Sequence, residues 1–260
     1  MRSGISVLLT THRRLEYLPD QLEAVCAQTV AAERIVVWHN GPLPAPRVPV
    51  PVVAASHNLG VWPRFLFCLE FDTEYVCVLD DDTIPGVRWL ENCLATMARH
   101  EGLIGAAGII FPNGTRKHRE MFGWRCPGTE VRRVDIIGHG WFFRRDWLRW
   151  YAWEPRPQGI ATAGEDYHFS VTLQKHLGLG SYTAPHPPHD KSLWGSTRGM
   201  RYGNDRQALY RRRGEEEKKC VVHDFYRRSG WKLLCDQGDW QALSRPDLLL
   251  PAHAALRKAA

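Results

Sequence analysis

The chain has 260 residues, 44% of them hydrophobic and 24% charged, a composition that excludes wholesale disorder and suits a folded globular protein. Its length accommodates a sizeable core, and we expect a single domain, residues 1–203, followed by a basic helical extension, residues 204–260. The formal net charge is +6. Many of the basic residues fall late in the chain, which favours an anionic partner.

The late charges alternate in sign in blocks, as in the run RRRGEEEKK over residues 211–219. Such blocks are typical of a solvated helix with internal ion pairs rather than of a track along a nucleic-acid backbone. We therefore expect no nucleic acid and instead a phosphate-bearing small molecule as the anionic partner.

The seven cysteines are scattered, odd in number and without a CxxC pair, which indicates reduced thiols and a cytoplasmic location. No stretch approaches the length of a membrane span, and the first predicted strand begins too early to leave room for a signal peptide. Peripheral membrane contact through basic or aromatic surface stays open.

The first half of the chain alternates between predicted strands and helices. Strands are predicted over residues 5–10, 34–38, 52–55 and 75–79, and helices over residues 17–29 and 63–71. This alternation predicts a parallel sheet with right-handed crossovers, in which ligands bind at the carboxyl ends of the strands. The polar residues expected at that edge are Thr10, Thr11, His12, Arg13, His39, Asn40, Asn58 and the run Asp80, Asp81, Asp82.

The second half has a different character. It contains a predicted helix over residues 89–100, strands over residues 105–111 and 134–143, and a polar region between them that suits a β-ribbon. Gly164-Glu165-Asp166 begins a helix that is predicted to end near residue 177, and a short strand follows. Residues 191–201 are predicted to form a flexible lid, and basic helices come after it.

Three consecutive aspartates, Asp80 to Asp82, directly follow the apolar strand from Tyr75 to Leu79. Adjacent carboxylates repel one another and are costly to desolvate unless a cation neutralises them. Carboxylate oxygens favour hard ions, so Mg²⁺ or Mn²⁺ is the natural neutraliser. The alternative is an acidic turn in which Asp82 caps the next helix.

The order of these motifs resembles the nucleotide-sugar glycosyltransferases of the GT-A fold, and is most similar to family two and exostosin-like enzymes. The resemblance covers roughly residues 4–200. Its motifs are ISVLLTT over residues 5–11, IVVWHNG over residues 35–41, Asn58-Leu59-Gly60 with Arg64 after it, Leu79-Asp80-Asp81-Asp82 as a DXD motif, and Gly164-Glu165-Asp166.

The resemblance implies an α/β fold with a Rossmann-like, mostly parallel central sheet and flanking helices. It also implies a Mn²⁺ or Mg²⁺ cofactor with Asp82 as direct ligand, Asp80 facing the metal or the ribose, and His189 completing the metal shell. His189 as an ordinary loop histidine is the alternative. The residues expected to bind the nucleotide-sugar are Thr10, Thr11, Arg13, Asn40, Asn58, Arg64, Asp80, Asp81, Arg198 and Arg201.

The catalytic residues implied by the resemblance are Asp166 and Glu165. In inverting relatives the equivalent aspartate removes the proton of the acceptor hydroxyl. In the exostosin-like branch, which retains the configuration, Asp166 would instead position acceptor or sugar. Acidic residues at a helix N-terminus also stabilise the helix without any catalysis.

The resulting hypothesis is a metal-dependent glycosyltransferase of the hexosyl or N-acetylhexosaminyl type, with a UDP-sugar as the expected donor. A glycan, a lipid-linked sugar or a small molecule is the expected acceptor. One alternative is a nucleotidyltransferase or phosphotransferase, although the turn after the first strand lacks the glycines of a phosphate loop. Another is a sugar- or nucleotide-binding module without activity.

Overall fold

The computed structural model describes residues 2–203, 205, 208 and 211–249. Within this part of the chain, nine strands form one sheet. The strands are β1 (Arg2–Thr11), β2 (Arg34–His39), β3 (Val52–Ala54), β4 (Thr73–Leu79), β5 (Gly102–Ile110), β6 (Glu120–Gly123), β7 (Arg132–Val134), β8 (Ile136–Arg144) and β9 (Gly180–Thr183). Their order across the sheet is β3-β2-β1-β4-β8-β5-β9-β7, and β6 pairs with β5.

Helices flank this sheet. They are α1 (Leu18–Cys26), α2 (Pro63–Phe67), α3 (Trp89–Arg99), α4 (Leu148–Trp153), α5 (Glu165–Leu177), α6 (Gly199–Tyr202), α7 (Glu215–Arg228), α8 (Trp240–Leu243) and α9 (Pro246–Leu249). This arrangement confirms the predicted α/β class. α5 has the predicted bounds, because glycines with positive φ stand at both of its ends.

The first four strands along the chain form a fully parallel half of the sheet, in which β1 lies between β2 and β4. Their side chains are apolar on both faces, and Val7, Leu8, Val76 and Val78 are completely buried. Such runs suit parallel strands that are covered on both sides. The carboxyl ends of β1, β2 and β4 therefore meet at one edge, as predicted.

The other half contains antiparallel pairs. β8 runs antiparallel to β4, with Val78 opposite Trp141, and also antiparallel to β5. The polar region before β8 does not form a separate ribbon, because β6 pairs with β5 and β7 pairs with β9. Asp135 separates β7 from β8 and accepts hydrogen bonds from the backbone N–H groups of Phe111 and Leu234, so the strand predicted over residues 134–143 begins later.

The chain after α6 packs against the main body through α7. Val222 and Tyr226 of α7 join a buried cluster that includes Phe111, Tyr167 and Trp231. The division of the chain at residues 203 and 204 remains a prediction. Residues 204, 206, 207, 209, 210 and 250–260 of the predicted extension lie outside the described residues. Among the described helices, none combines the length and the apolar character that a membrane crossing requires.

Candidate active site

A cavity of about 500 Å³ opens at the carboxyl ends of β1, β2 and β4. The start of α5, the centre of β8 and the first turns of α7 complete its wall. Among the residues predicted for the site, the cavity is lined by Thr10, Thr11, Asn40, Asn58, Arg64, Asp80, Asp81, Asp82, Glu165 and Asp166.

The three aspartates lie in a turn directly after β4, where the backbone N–H of Thr83 donates to the carbonyl of Asp80 at 2.9 Å. No helix begins here: α3 starts at Trp89, and Arg88 occupies its N-cap position. The aspartates are therefore not helix caps. Their carboxylates lie at the edge of the sheet, in the cavity wall.

Arg14 neutralises much of this acidic charge. Its guanidinium donates to Asp81 at 2.8 Å and to Asp82 at 3.0 Å, and it binds both carboxylate oxygens of Asp205 at 2.8 Å. The Arg14 side chain is 8% exposed. Burial, together with the charge of Asp82, raises the pKa of Asp81 to about 7, although Arg14 acts in the opposite direction.

Arg64 is the second buried cation of the site. One of its Nη atoms donates to Asp80, and the other donates to Glu165 at 2.7 Å. The guanidinium also lies 4.5 Å from the centre of the Trp141 ring. Burial raises the pKa of Glu165 to about 7, against the opposing effect of Arg64. Glu165 therefore lies in the cavity wall, but its carboxylate is directed at Arg64.

Asp166 lies beside Glu165 at the first turn of α5 and is half-buried. Its Oδ1 accepts a hydrogen bond from the backbone N–H of Tyr167 at 2.9 Å. A Cβ atom built on Gly138 of β8 would lie 3.8 Å from Asp166 Oδ2, so the glycine leaves the approach to this oxygen open. Asp166 is thus a carboxylate at the cavity surface, separate from the run of three aspartates.

Asn40 and Asn58 shape the end of the cavity near β2. The Asn40 amide donates to Gly60 O at 2.7 Å and to Asn58 Oδ1 at 3.2 Å, while its Oδ1 accepts from the backbone N–H of Leu59. Asn40 therefore fixes the turn over residues 58–60.

The two predicted threonines are tied to neighbouring strands. Thr10 donates to Leu79 O at 3.2 Å, and Thr11 Oγ1 lies 2.9 Å from His39 Nδ1. Thr10 Oγ1 also lies 3.4 Å from Asp80 Oδ1, and both threonine side chains are largely buried.

His139, and not His189, is the histidine beside the aspartates. His139 lies 3.5 Å from carboxylate oxygens of both Asp80 and Asp82, and its Nε2 lies 2.6 Å from Thr83 Oγ1. β8 pairs antiparallel with β4 up to Val78 and Trp141, and His139 lies two residues before Trp141, as Asp80 lies two residues after Val78. His189 is exposed and does not line the cavity.

Three predicted nucleotide-binding arginines also lie outside the cavity wall. Arg13 is exposed, and its neighbour Arg14 points inward instead. Arg198 binds Asp20 and Tyr202, and Arg201 lies over the Tyr202 ring. The segment around them is anchored, because Trp194 is buried and the backbone N–H of Thr197 donates to Ile84 O.

Sequence reasoning missed several cationic side chains of the cavity because they come from distant segments. Arg14 follows another arginine, Arg13, which is exposed, and nothing in the sequence shows which of the two side chains enters the site. The blocks of charge near residue 213 were the one signal for the others. The remaining cations in the cavity wall are Arg116, Arg119, Arg125, Arg212 and Lys219.

The donor set suits a hard divalent cation in one respect. Oδ1 of Asp82 is buried and accepts no hydrogen bond from any described residue. No three His, Cys, Asp or Glu side chains within the described ranges converge as a complete metal site. Mg²⁺ binds typically through one or two carboxylates together with substrate phosphates, so two carboxylates such as Asp80 and Asp82 would suffice as protein ligands.

No family model matches the chain, and no curated protein matches it. Among solved structures it is similar to S. aureus TarS 1-349, with 14% identity and a TM-score of 0.49 over 71% of this chain and 60% of that one. It is similar to the same protein in complex with UDP-GlcNAc, with 16% identity and a TM-score of 0.47 over 74% and 60% of the two chains.

A further similar structure is the mannosyltransferase PcManGT from Pyrobaculum calidifontis in complex with GDP-Man and Mn²⁺, with 16% identity and a TM-score of 0.47. That match covers 71% of this chain and 55% of the other. The chain thus spans three fifths of the TarS 1-349 structure and a smaller share of the mannosyltransferase. The functional argument rests on the site of this chain.

Proposed function

We propose that the protein is a metal-dependent glycosyltransferase that moves a sugar from a nucleotide-sugar, with UDP as the expected nucleotide, to an acceptor hydroxyl. One observation carries this proposal. A single cavity at the carboxyl edge of a parallel sheet holds the run from Asp80 to Asp82, two buried arginines, and a separate half-buried carboxylate, Asp166.

The cavity volume of about 500 Å³ lies in the range of small-molecule sites. In the proposal the nucleoside lies near the ends of β1 and β2, where Asn40 and Asn58 hold the turn over residues 58–60. The diphosphate lies near the aspartates, where Arg14 and Arg64 supply positive charge. This orientation places the sugar towards Asp166.

Asp80 and Asp82 would hold Mg²⁺ or Mn²⁺. Oδ1 of Asp82, which accepts no hydrogen bond from the described residues and lies 3.5 Å from His139 Nε2, is the ligand atom best prepared for it. When bound there, the divalent cation would supply positive charge to offset the charge that develops on the departing nucleoside diphosphate. His139 lies against both aspartates and holds their turn through Thr83. We assign it a positioning role.

In the proposed reaction, the bond between the anomeric carbon and the diphosphate oxygen breaks, and the acceptor oxygen forms a new bond to that carbon. Asp166 receives the proton of the acceptor hydroxyl, which requires a carboxylate within hydrogen-bond reach. Glu165 holds Arg64 against Asp80 and keeps the guanidinium oriented. Retention of configuration would leave Asp166 as a positioning group.

Calorimetric titration with UDP and with GDP, each with and without Mn²⁺, tests the proposal. We expect UDP to bind only with the metal, and Asp82→Asn to weaken that binding by about tenfold or more, because a charge-assisted contact is lost. Asp224→Asn, on the exposed side of α7, is the matched control. Unchanged UDP affinity in Asp82→Asn would remove this ligand from the proposal.

Product analysis separates the other classes of function. A panel of nucleotide-sugars incubated with the protein should release a nucleoside diphosphate. Release of inorganic pyrophosphate from a nucleoside triphosphate would favour a nucleotidyltransferase. Metal-dependent UDP binding without any donor cleavage would favour a module that binds nucleotides without catalysis.

A further inference from the structure

Four cationic side chains line the part of the cavity that α7 closes. Arg116 and Arg119 lie on the connection between β5 and β6, Arg125 follows β6, and Lys219 lies on the second turn of α7. We refer to these four residues as the basic wall. Arg212 also lines the cavity, but we leave it out of the basic wall. Its charge acts on His12, at the end of the cavity where the nucleoside is proposed to bind.

The basic wall carries more positive charge than its carboxylate neighbours offset. Glu216 binds Arg116 at 3.2 Å and Arg119 at 3.1 Å, so one carboxylate serves two guanidinium groups. Within the described ranges, Lys219 and Arg125 have no carboxylate in ion-pair contact, and Arg125 lies over the Trp124 ring at 4.7 Å. The wall is therefore prepared for an anion.

Arg116 gives this wall a fixed and buried donor. Its side chain is 6% exposed, and its Nη1 donates to Tyr167 Oη at 2.8 Å. Its Nε is buried and has no hydrogen-bond partner among the described residues. Burial and the hydrogen bond to Tyr167 therefore hold the Arg116 guanidinium in a fixed orientation at the cavity wall.

Arg116 brings the basic wall close to Asp166. Tyr167 follows Asp166 directly in α5, and the charge of Asp166 acts on Arg116. The guanidinium groups that contact Asp80, Asp81 and Asp82 belong to Arg14 and Arg64 instead. The basic wall is thus on the side of the cavity where the proposed function places the acceptor.

We infer that the acceptor carries a phosphate group, which the basic wall binds beside Asp166. Several guanidinium donors and an ammonium group match the many acceptor oxygens of a phosphate, and such charge-assisted contacts are strong. A neutral sugar would leave this positive charge without compensation. The inference rests on the proposed function, since it names the acceptor class of the same site.

Binding of glycerol 1-phosphate and of glycerol, measured by calorimetry with saturating UDP and Mn²⁺, tests the inference. Saturating UDP keeps the probe away from the diphosphate site. We expect glycerol 1-phosphate to bind at least about tenfold more tightly than glycerol, the factor that one charge-assisted hydrogen bond contributes. This preference should also weaken as salt is added.

The variant pair Arg119→Gln/Lys219→Gln removes two of the four cations and should weaken the preference for glycerol 1-phosphate severalfold, and an unchanged preference would overturn the inference. The matched control is Lys117→Gln/Arg213→Gln, which removes two exposed cations from neighbouring segments that do not line the cavity. The control should keep the wild-type preference. Equal loss in both pairs, or equal binding of the two probes, would overturn the inference.

A second arm locates the source of the phosphate. Vesicles of phosphatidylglycerol and of phosphatidylcholine are compared in sedimentation, again with both variant pairs. Selective binding to phosphatidylglycerol that only Arg119→Gln/Lys219→Gln removes would assign the phosphate to a lipid headgroup. Binding of soluble glycerol 1-phosphate alone would assign it to a soluble phosphate ester.

The two levels of the proposal fail in different ways. If the wild type does not bind UDP in this experiment, the proposed function fails first. If UDP binds with Mn²⁺ and the phosphate probe shows no preference, only the acceptor inference fails.

Discussion

Charge compensation by two buried arginines is the main electrostatic feature at the scale of single residues. Arg14 contacts Asp81 and Asp82, and Arg64 contacts Asp80 and Glu165. Removing one partner of a buried ion pair typically costs about 3–5 kcal/mol, because the remaining charge is left without compensation. The aspartate run can therefore remain at the sheet edge before any ligand arrives.

Asp166→Asn tests the proposed general base. The amide cannot accept the proton of the acceptor hydroxyl, so we expect transfer to fall by about 10²-fold or more. UDP affinity should stay close to that of the wild type, because Asp166 is not among the groups proposed to hold the metal ion or the diphosphate. Transfer rate and UDP affinity are measured together, and a fully active variant would exclude Asp166 as the base.

Asp135 gives a prediction for pH dependence. Its burial raises the pKa to about 6 from 3.8, although the N–H groups of Phe111 and Leu234 act in the opposite direction. Between these values the folded chain holds a proton that the unfolded chain releases, so this contribution to stability is present at low pH and is lost as pH rises.

The free energy of unfolding of the wild type, relative to that of Asp135→Asn, should therefore fall by about 1–3 kcal/mol between pH 4 and pH 7. Urea denaturation at several pH values measures this difference. A difference that stays constant, or that grows with pH, would contradict the argument.

The residue types at the site could be predicted better than the individual residues. Asp80 and Asp82 could be predicted to lie at the sheet edge because they follow a predicted strand, whereas Arg64 and Asp166 were expected at the same site only from the family resemblance. The choice of His139 depends on how β8 pairs with β4, a contact between distant parts of the chain that local pattern does not reveal.

At the scale of secondary structure, the start of α5 shows most clearly why a particular position requires glycine. Gly164 has φ +100°, and a Cβ atom on it would lie 2.8 Å and 2.9 Å from the two methyl carbons of Val222 in α7. Gly178, at the other end of α5, has φ +67°, and a Cβ atom there would meet no described residue within 4 Å. An added side chain would thus strain the backbone at both positions, but it would also clash with a neighbour at Gly164.

Gly178→Ala should lower the free energy of unfolding by about 1–2 kcal/mol, the cost of a left-handed backbone for alanine. Gly164→Ala should cost about 1–3 kcal/mol more, because the added methyl group overpacks against Val222. Adding Val222→Ala to Gly164→Ala should recover part of that extra loss in urea denaturation. Equal costs at the two positions would contradict the packing argument.

Element positions were predictable where local signals were strong. The parallel half follows from alternation of apolar strands and helices, and the glycines at 164 and 178 mark both ends of α5. The pairing of β7 with β9 was not predictable, because these two short strands lie far apart in the chain. β6 directly follows β5 and pairs with its last residues, Ala107 to Ile110.

At the scale of the whole molecule, α7 completes the cavity. Its buried face meets Phe111, Tyr167 and Trp231, while Glu216 and Lys219 line the cavity. Glu215 accepts a hydrogen bond from Thr162, in the loop that leads to α5. The C-terminal region is thus part of the cavity. The sequence motifs of the family resemblance end near residue 200 and do not indicate this.

Trp231→Ala tests how strongly this region is held. Trp231 is 2% exposed, and its removal should cost about 3–5 kcal/mol of unfolding free energy. Trp153, which is 76% exposed, is the matched control, and Trp153→Ala should change stability by less than about 0.5 kcal/mol. Similar effects of the two substitutions in urea denaturation would mean that the buried cluster contributes little.

The central claim is that the acidic edge of the sheet holds a cation shared with a nucleoside diphosphate. A crystal structure of the protein with Mn²⁺ and UDP tests it most directly, with the anomalous signal of manganese marking the ion. The account predicts one manganese peak within coordination distance of Asp82 Oδ1 and of a UDP phosphate oxygen. A peak elsewhere, or UDP bound away from Asp80 and Asp82, would contradict it.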